Sequence, residues 1–379
     1  MSKRKTVLAF IDWYRPGYKA GGTITAFGNF VDYLEDDIDF KIVTRNIDYA
    51  DHQPYASIPP GKWVKSSNSS CYYMSQSEVS IKNIKNIIAN TDYDFLYVNG
   101  MFSPFFSILP VLFSKGKNTI VNPHGMLSTQ AFSVKPLKKK MFLSVFNALK
   151  IYKNTTFHAA NEEEAVMISD RVKRSKAVKI ANQFPRKLKN ISIKNSSKNN
   201  PIRLINVARI SIEKGTLIMI EALSVFKTEV VLDIFGPVYD HEYWEKCQIA
   251  IQHLPNHITV NYKGVVESEL VLDTLKAYDF FILLSEGENF GHSILEALSV
   301  GCPVIISDKT PWTNLKSKGI GWDLNVKDIN RISDVFSEIS NMSQEDYNHM
   351  VNQSFSFAQR FSEDQELLNQ NKNLFLITH

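Results

Sequence analysis

The chain is poor in the groups that staple small secreted proteins. Its 379 residues hold three cysteines, Cys71, Cys247 and Cys302. They are odd in number, widely scattered and form no CxxC pair, which argues against a disulfide framework or a zinc site. Long apolar runs are also missing. None approaches the ~20 residues of a membrane span. The first apolar run, Val7 to Ile11, ends at Asp12. A secretion signal needs about 7–15 apolar residues and a small-residue cleavage site. MSKRKTVLAFID therefore reads as a first β-strand, and the protein as cytoplasmic. The glycines make neither GxGxxG nor GxxxxGK[ST], so the dinucleotide and P-loop fingerprints are excluded. No short-period repeat and no extended low-complexity tract is present.

What is present describes a globular chain of two domains. Hydrophobic residues make up 44% and charged residues 22%. A chain this long buries a large core without staples. Net charge is +4, but the basic residues gather in the first half. One cluster is Lys135 to Lys140 (KPLKKK), followed by MFLSVFNALKIYK. Others run from Arg171 to Lys179 and through Arg186, Lys187 and Lys189. Such runs suit nucleic acid or anionic lipid, or are simply solvated helix faces.

Short Val-, Ile- and aromatic-rich segments alternate with helical patterns from start to end. Strands are expected at 6–11, 40–44, 95–99, 119–122, 156–159 and 178–181. Helices are expected at 23–34, with Ile24, Phe27, Phe30, Val31 and Leu34 on one face, and at 80–88. Residues 186–201, RKLKNISIKNSSKNNP, interrupt the pattern with linker composition. Strands resume at 202–207, 230–235, 258–262, 280–284 and 304–307, and helices at 215–226, 242–253, 268–277, 291–300 and 329–339. The expectation is an α/β protein with two mostly parallel sheets. Its parts are a domain over 1–185, a linker over 186–201, a second domain over 202–355 and a terminal helix over 356–379 that can pack back on the first domain. In such sheets ligands sit at the carboxyl ends of strands.

Four stretches fall at such ends. RPGYKAGGTITAF places Gly21 and Gly22 before a helix, where backbone can approach a phosphate closely, although a plain turn fits as well. NPHGML sets His124 after a strand. NVARISIEKG sets Arg209 and Lys214 between a strand and a helix, as two cations able to clamp a diphosphate. EGENFGHSILEAL follows the strand at 280–284. A carboxylate near a helix start, such as Glu288, is favourable by itself. Glu296 is different: it falls among Ile294, Leu295 and Leu298 and wants a partner. Glu286 reads as loop trim.

Together these stretches resemble the family-4 class of retaining glycosyltransferases, which have the GT-B fold of two Rossmann-like domains facing across a cleft. VARISIEKG resembles the family's R-x4-K-G loop and ENFGHSILE its E-x7-E motif; HGM and GCPVI add to the likeness. The resemblance implies that Arg209 and Lys214 bind the diphosphate of a UDP- or GDP-sugar and stabilise the leaving group. It gives Glu296 to the ribose hydroxyls and Glu288 to the transferred sugar. The backbone amides of Asn289, Phe290 and Gly291 would meet sugar and phosphate. Gly21 and Gly22 would lie close to the diphosphate. His124 would contact the donor sugar or the developing oxocarbenium, and Val265 or Val266 the base. No metal and no other cofactor is implied, and no DxD dyad stands at a convincing strand end. Asp36–Asp37 reads as a solvated turn. Retention would proceed by front-face attack, so Glu288 would not be a glycosidase-type nucleophile. IANQFPR departs from the P-N-G-V-D-like segment of many members, and WYRPGYK is an aromatic, basic insert that would shape the acceptor side.

The implied acceptor is a glycan or lipid-linked glycan in surface polysaccharide assembly, O-antigen or capsule. The basic patches of the first domain would touch the anionic inner face of the cytoplasmic membrane. Two other readings stay open: a GT-B nucleotide-sugar epimerase, and a basic nucleic-acid-binding protein. The latter calls for aromatics interleaved with Lys and Arg on one face, whereas these motifs concentrate at strand ends.

Overall fold

The computed structural model describes residues 4–66, 69–114, 117–133, 136–187, 192–195, 198 and 200–376. Lys135, Lys189 and part of the 186–201 interval lie outside them. The chain forms two compact units, Met1–Lys187 with Asp364–His379, and Leu188–Glu363.

The first unit is built on eight strands: β1 Lys5–Phe10, β2 Ile38–Arg45, β3 Trp63–Ser66, β4 Ser69–Met74, β5 Phe95–Asn99, β6 Asn118–Asn122, β7 Thr155–Ala159 and β8 Ala177–Ile180. Their order is β3-β4-β2-β1-β5-β6-β7-β8. All neighbours are parallel except the antiparallel pair β3–β4. The N-terminal apolar run is thus an interior strand, with Val7 to Phe10 wholly buried, as a strand covered on both faces requires. The helix Gly22–Leu34 buries the five apolar residues that its spacing predicts. Phe27 and Phe30 stack on Tyr97 at 5.8 and 5.2 Å.

The second unit holds β9 Ile202–Val207, β10 Val230–Phe235, β11 Ile258–Tyr262, β12 Phe280–Leu283, β13 Val304–Ser307 and β14 Gly321–Leu324, in the order β11-β10-β9-β12-β13-β14. Every pair is parallel. Leu204, Leu232, Ile234, Phe280 and Ile305 are fully buried between the helical layers.

Two expectations need correction. Part of the 186–201 interval is built into the second unit and is not an open linker. Lys194 is 5% exposed. Its ammonium donates to the Tyr278 carbonyl and to the Tyr347 hydroxyl, and its amide to Val300 O. Burial lowers its pKa. The terminal region is two helices, not one. Gln344–Ser362 packs in the second unit, Asp364 caps a new helix, and Gln365–Lys372 returns to the first unit. There Phe375 packs on Phe95 at 5.4 Å and on Phe30 at 5.9 Å. Asp37, expected in a solvated turn, pairs with Lys372 at 2.8 Å.

Candidate functional site

In the second unit, the sheet brings two sequence motifs together. β9 and β12 are neighbours, with Ile205 opposite Phe281. The loops leaving their carboxyl ends therefore lie side by side. Ser211 caps the short turn Ile212–Lys214 by accepting from the Lys214 amide. Gly215 follows with φ of 64°, and a Cβ there would stand 1.8 Å from Leu284 O. Only glycine lets this loop close against the end of β12. The Glu286 amide then donates to Glu213 O at 2.9 Å.

That contact seats Lys214 on Glu288. The ammonium donates to both carboxylate oxygens, at 2.6 and 2.8 Å. The Glu288 side chain is only 8% exposed, so the ion pair satisfies a carboxylate that burial would otherwise penalise. An ammonium has three N–H donors. Two are used here, which leaves one for a ligand. The Glu288 amide is held by Lys309 O at 3.2 Å, from the loop after β13. Arg209 is not joined to this pair. It lies 3.5 Å from Glu213 across an exposed i,i+4 contact, a weak tether that leaves the guanidinium able to reorient.

The helix expected near Phe290 begins at His292, with Gly291 as its left-handed N-cap. Asn289 and Phe290 therefore belong to the bend before it. Phe290 anchors that bend: its ring meets Trp312 at 5.4 Å and its carbonyl accepts from the Trp312 indole. Glu296 lies on the helix His292–Ser299, 9% exposed, among fully buried aliphatics. Val265 is exposed after β11, while Val266 packs partly against the core. Ser285, which sequence reasoning missed, ends the β12 segment fully buried; its Oγ has no hydrogen-bond partner among the described residues. The only signal for it was its place between an apolar strand and EGEN.

In the first unit, Gly21 is the N-cap of the helix Gly22–Leu34. Among the described residues, and apart from the adjoining backbone, no atom lies within 4 Å of where a Cβ would sit on Gly21 or Gly22. Packing gives no reason for Gly22. A ligand approaching the first turn would. The insert before it is fastened down: Arg15 makes two 2.7 Å bonds to Asp32, and buried Asp48 accepts from the Tyr18 and Lys19 amides.

His124 sits two residues after β6 with φ of 50°, a conformation that must be enforced by its surroundings. Asn122 Oδ1 accepts the His124 amide at 3.0 Å. Glu164, buried in the first turn of the helix Glu162–Arg171, accepts the Gly125 amide at 2.6 Å. Asn99 donates its NH2 to Phe10 O, which turns its Oδ1 toward His124 Nε2 at 2.8 Å. The ring therefore donates from Nε2. Asn99, Asn122 and Glu164 were not foreseen. The faint signal for the first two is an asparagine closing an apolar strand, in YVN and IVN. Behind them His158 bonds Tyr97 Oη at 2.7 Å and Ala181 O at 2.8 Å. Burial depresses its pKa to about 4. Among the described residues no group of three or more His, Cys, Asp or Glu side chains gathers as around a metal ion.

Known proteins share this fold. Residues 189–356 match the Glycosyl transferases group 1 model. Sucrose-phosphate synthase from Thermosynechococcus elongatus is 14% identical, with a TM-score of 0.69 over 98% of each chain. Anabaena Alr3699/HepE, solved in complex with UDP and glucose, is 15% identical, with a TM-score of 0.67 over 98% of each chain. Trehalose-6-phosphate synthase OtsA is 9% identical, with a TM-score of 0.67 over 99% of this chain and all of its own. No curated protein sequence matched. Two parallel-dominated α/β units with these likenesses define a glycosyltransferase of the GT-B class. Within that class, residues 189–356 are a Glycosyl transferases group 1 domain.

Proposed function

We propose that this enzyme transfers a sugar, with retention, from a UDP- or GDP-sugar to a hydroxyl of a saccharide acceptor. The observation that carries the reading is the Lys214–Glu288 pair, set at adjoining strand ends with the start of the helix His292–Ser299 beside it. Charge develops on the leaving diphosphate during transfer, and preorganised donors are the efficient way to stabilise it. The remaining Lys214 N–H, a reoriented Arg209 and the amides from Asn289 to Gly291 supply such donors. Glu288, held by its lysine, accepts hydroxyls of the transferred sugar on its remaining lone pairs. Glu296 accepts the ribose hydroxyls, and Val265 or Val266 lies against the base. In the first unit the same reading gives Gly21 and Gly22 to phosphate oxygens and His124 to the sugar. The leaving phosphate takes the acceptor proton on the same face, so no enzymic nucleophile is used. The cations that would neutralise the diphosphate are protein side chains, so the reading uses no metal. HepE, described with UDP-glucose, supports the uridine arm.

The acceptor in this proposal is a lipid-linked oligosaccharide in surface polysaccharide assembly, reached at the inner face of the cytoplasmic membrane. Exposed Lys138 and Lys140 support that part. Nucleotide release from a panel of UDP- and GDP-sugars, with the anomeric configuration of the product read by NMR, tests the reaction. One donor class should be turned over with its configuration kept. Inversion, or no turnover of any nucleotide-sugar, would sink the reading.

A further inference from the structure

The helix Pro136–Ala148 turns an aliphatic stripe to the outside. Leu137 is 80% exposed, Met141 66%, Val145 47% and Leu149 66%. Leu149 N donates to Val145 O at 2.9 Å, so the helical path continues through it. Residues four apart lie along one side of a helix, and these four form a single row. Single exposed aliphatics are ordinary on a protein surface; an uninterrupted row is not. The core does not need them. The helix already has an inward face, where Leu143 is buried and Phe142 and Phe146 pack on Phe102 and Tyr152 at 5.2 and 5.4 Å.

The charges carried by the segment that bears the stripe are of one sign. Lys138, Lys140, Lys150 and Lys153 are exposed. Lys139 is the exception: it turns inward, donating to Ala131 O and lying over the Phe102 ring. No aspartate or glutamate occurs between Asp94 and Glu162, so this long stretch brings no carboxylate to the surface beside the stripe.

We propose that this face is an interfacial anchor for an anionic phospholipid bilayer. The helix lies in the plane of the surface. Leu137, Met141, Val145 and Leu149 enter the acyl boundary, while the four lysines reach headgroup phosphates. The inference deepens the lipid-linked-acceptor reading and rests on it for its purpose. Its evidence is separate: a solvated basic helix would need the lysines but not the aliphatic row.

The test is flotation of the full chain with vesicles of phosphatidylcholine alone or mixed with phosphatidylglycerol. The chain should bind the mixed vesicles and not the neutral ones. Leu137→Ser with Leu149→Ser should lower the bound fraction about tenfold or more, at an unchanged unfolding midpoint. Lys138→Gln with Lys140→Gln should weaken binding chiefly at low salt. A Leu137→Trp variant should show blue-shifted emission when mixed vesicles are added. Failure of the wild type to float, or equal binding by the serine variant, overturns the proposal. So does a serine variant that abolishes a dimer in gel filtration while vesicle binding stays the same, since the stripe would then serve a second copy of the chain. Nucleotide release with a water-soluble acceptor is measured in parallel. Its loss would count against the transferase reading and not against the anchor.

Discussion

Lys214 and Glu288 hold one another in a partly buried setting, and that decides what substitution does to each. Lys214→Ala leaves a buried carboxylate without its cation, which costs about 1–3 kcal/mol or more of stability. It also removes a donor from the leaving group, for which a turnover loss of about 10²–10³-fold is expected. Glu288→Gln keeps the shape and one acceptor oxygen, so it should spare stability while still lowering turnover. Thermal unfolding with steady-state nucleotide release separates the two effects. His158 makes a different prediction. Its pKa near 4 is below the ordinary value of about 6.5, so the unfolded chain binds the extra proton first. The stability that neutral His158 contributes is present above pH ~6.5 and is lost as pH falls toward 4. Between pH 7 and 5 the loss is about 2 kcal/mol. It should be missing from the denaturation curves of His158→Gln. Glu296 and Glu288 could be read from sequence because both stand in one contiguous motif. Asn99 and Glu164 could not, because their partners His124 and Gly125 are 25 and 39 positions away. Only the sheet order brings them together.

At the scale of elements, the site is made by two neighbouring strands and the loop that one glycine allows. Gly215→Ala would need both a left-handed alanine and a displaced Leu284 carbonyl. A cost of about 1–3 kcal/mol is expected, together with a fall in nucleotide release because Lys214 moves off Glu288. Unchanged activity with lowered stability would show that the loop does not position Lys214. Strands such as Phe95–Asn99 and Phe280–Leu283 were readable because burial on both faces imposes continuous apolar runs. β3 and β4 escaped notice: Trp63–Ser66 is largely exposed and Ser69–Met74 carries serines and tyrosines. Their pattern belongs to a sheet margin, not its centre. β14, four residues reading GWDL, is too short to carry a period.

For the whole molecule, the alternation of strand and helix patterns revealed two α/β bodies, and the 186–201 break showed roughly where one gives way to the other. A return of the last residues to the first domain is among the sequence expectations; the break at Asp364 that starts a separate helix was not legible. A helical pattern states which face is apolar, not which sheet it will cover. Asp364 and the Phe375 side chain settle that in space. Phe375→Ala should cost the first unit about 3–5 kcal/mol. Hydrogen exchange should show lost protection in β1 and β5 and none in β9 or β12. Equal loss in both units would mean that the tail is not part of the first unit alone. The central claim concerns the donor, and titration calorimetry addresses it directly. UDP- and GDP-sugars are titrated into the wild type and into Glu296→Ala. One nucleotide class should bind the wild type, and Glu296→Ala should weaken it about 10–100-fold. Binding of neither class, or full affinity in Glu296→Ala, would contradict the account.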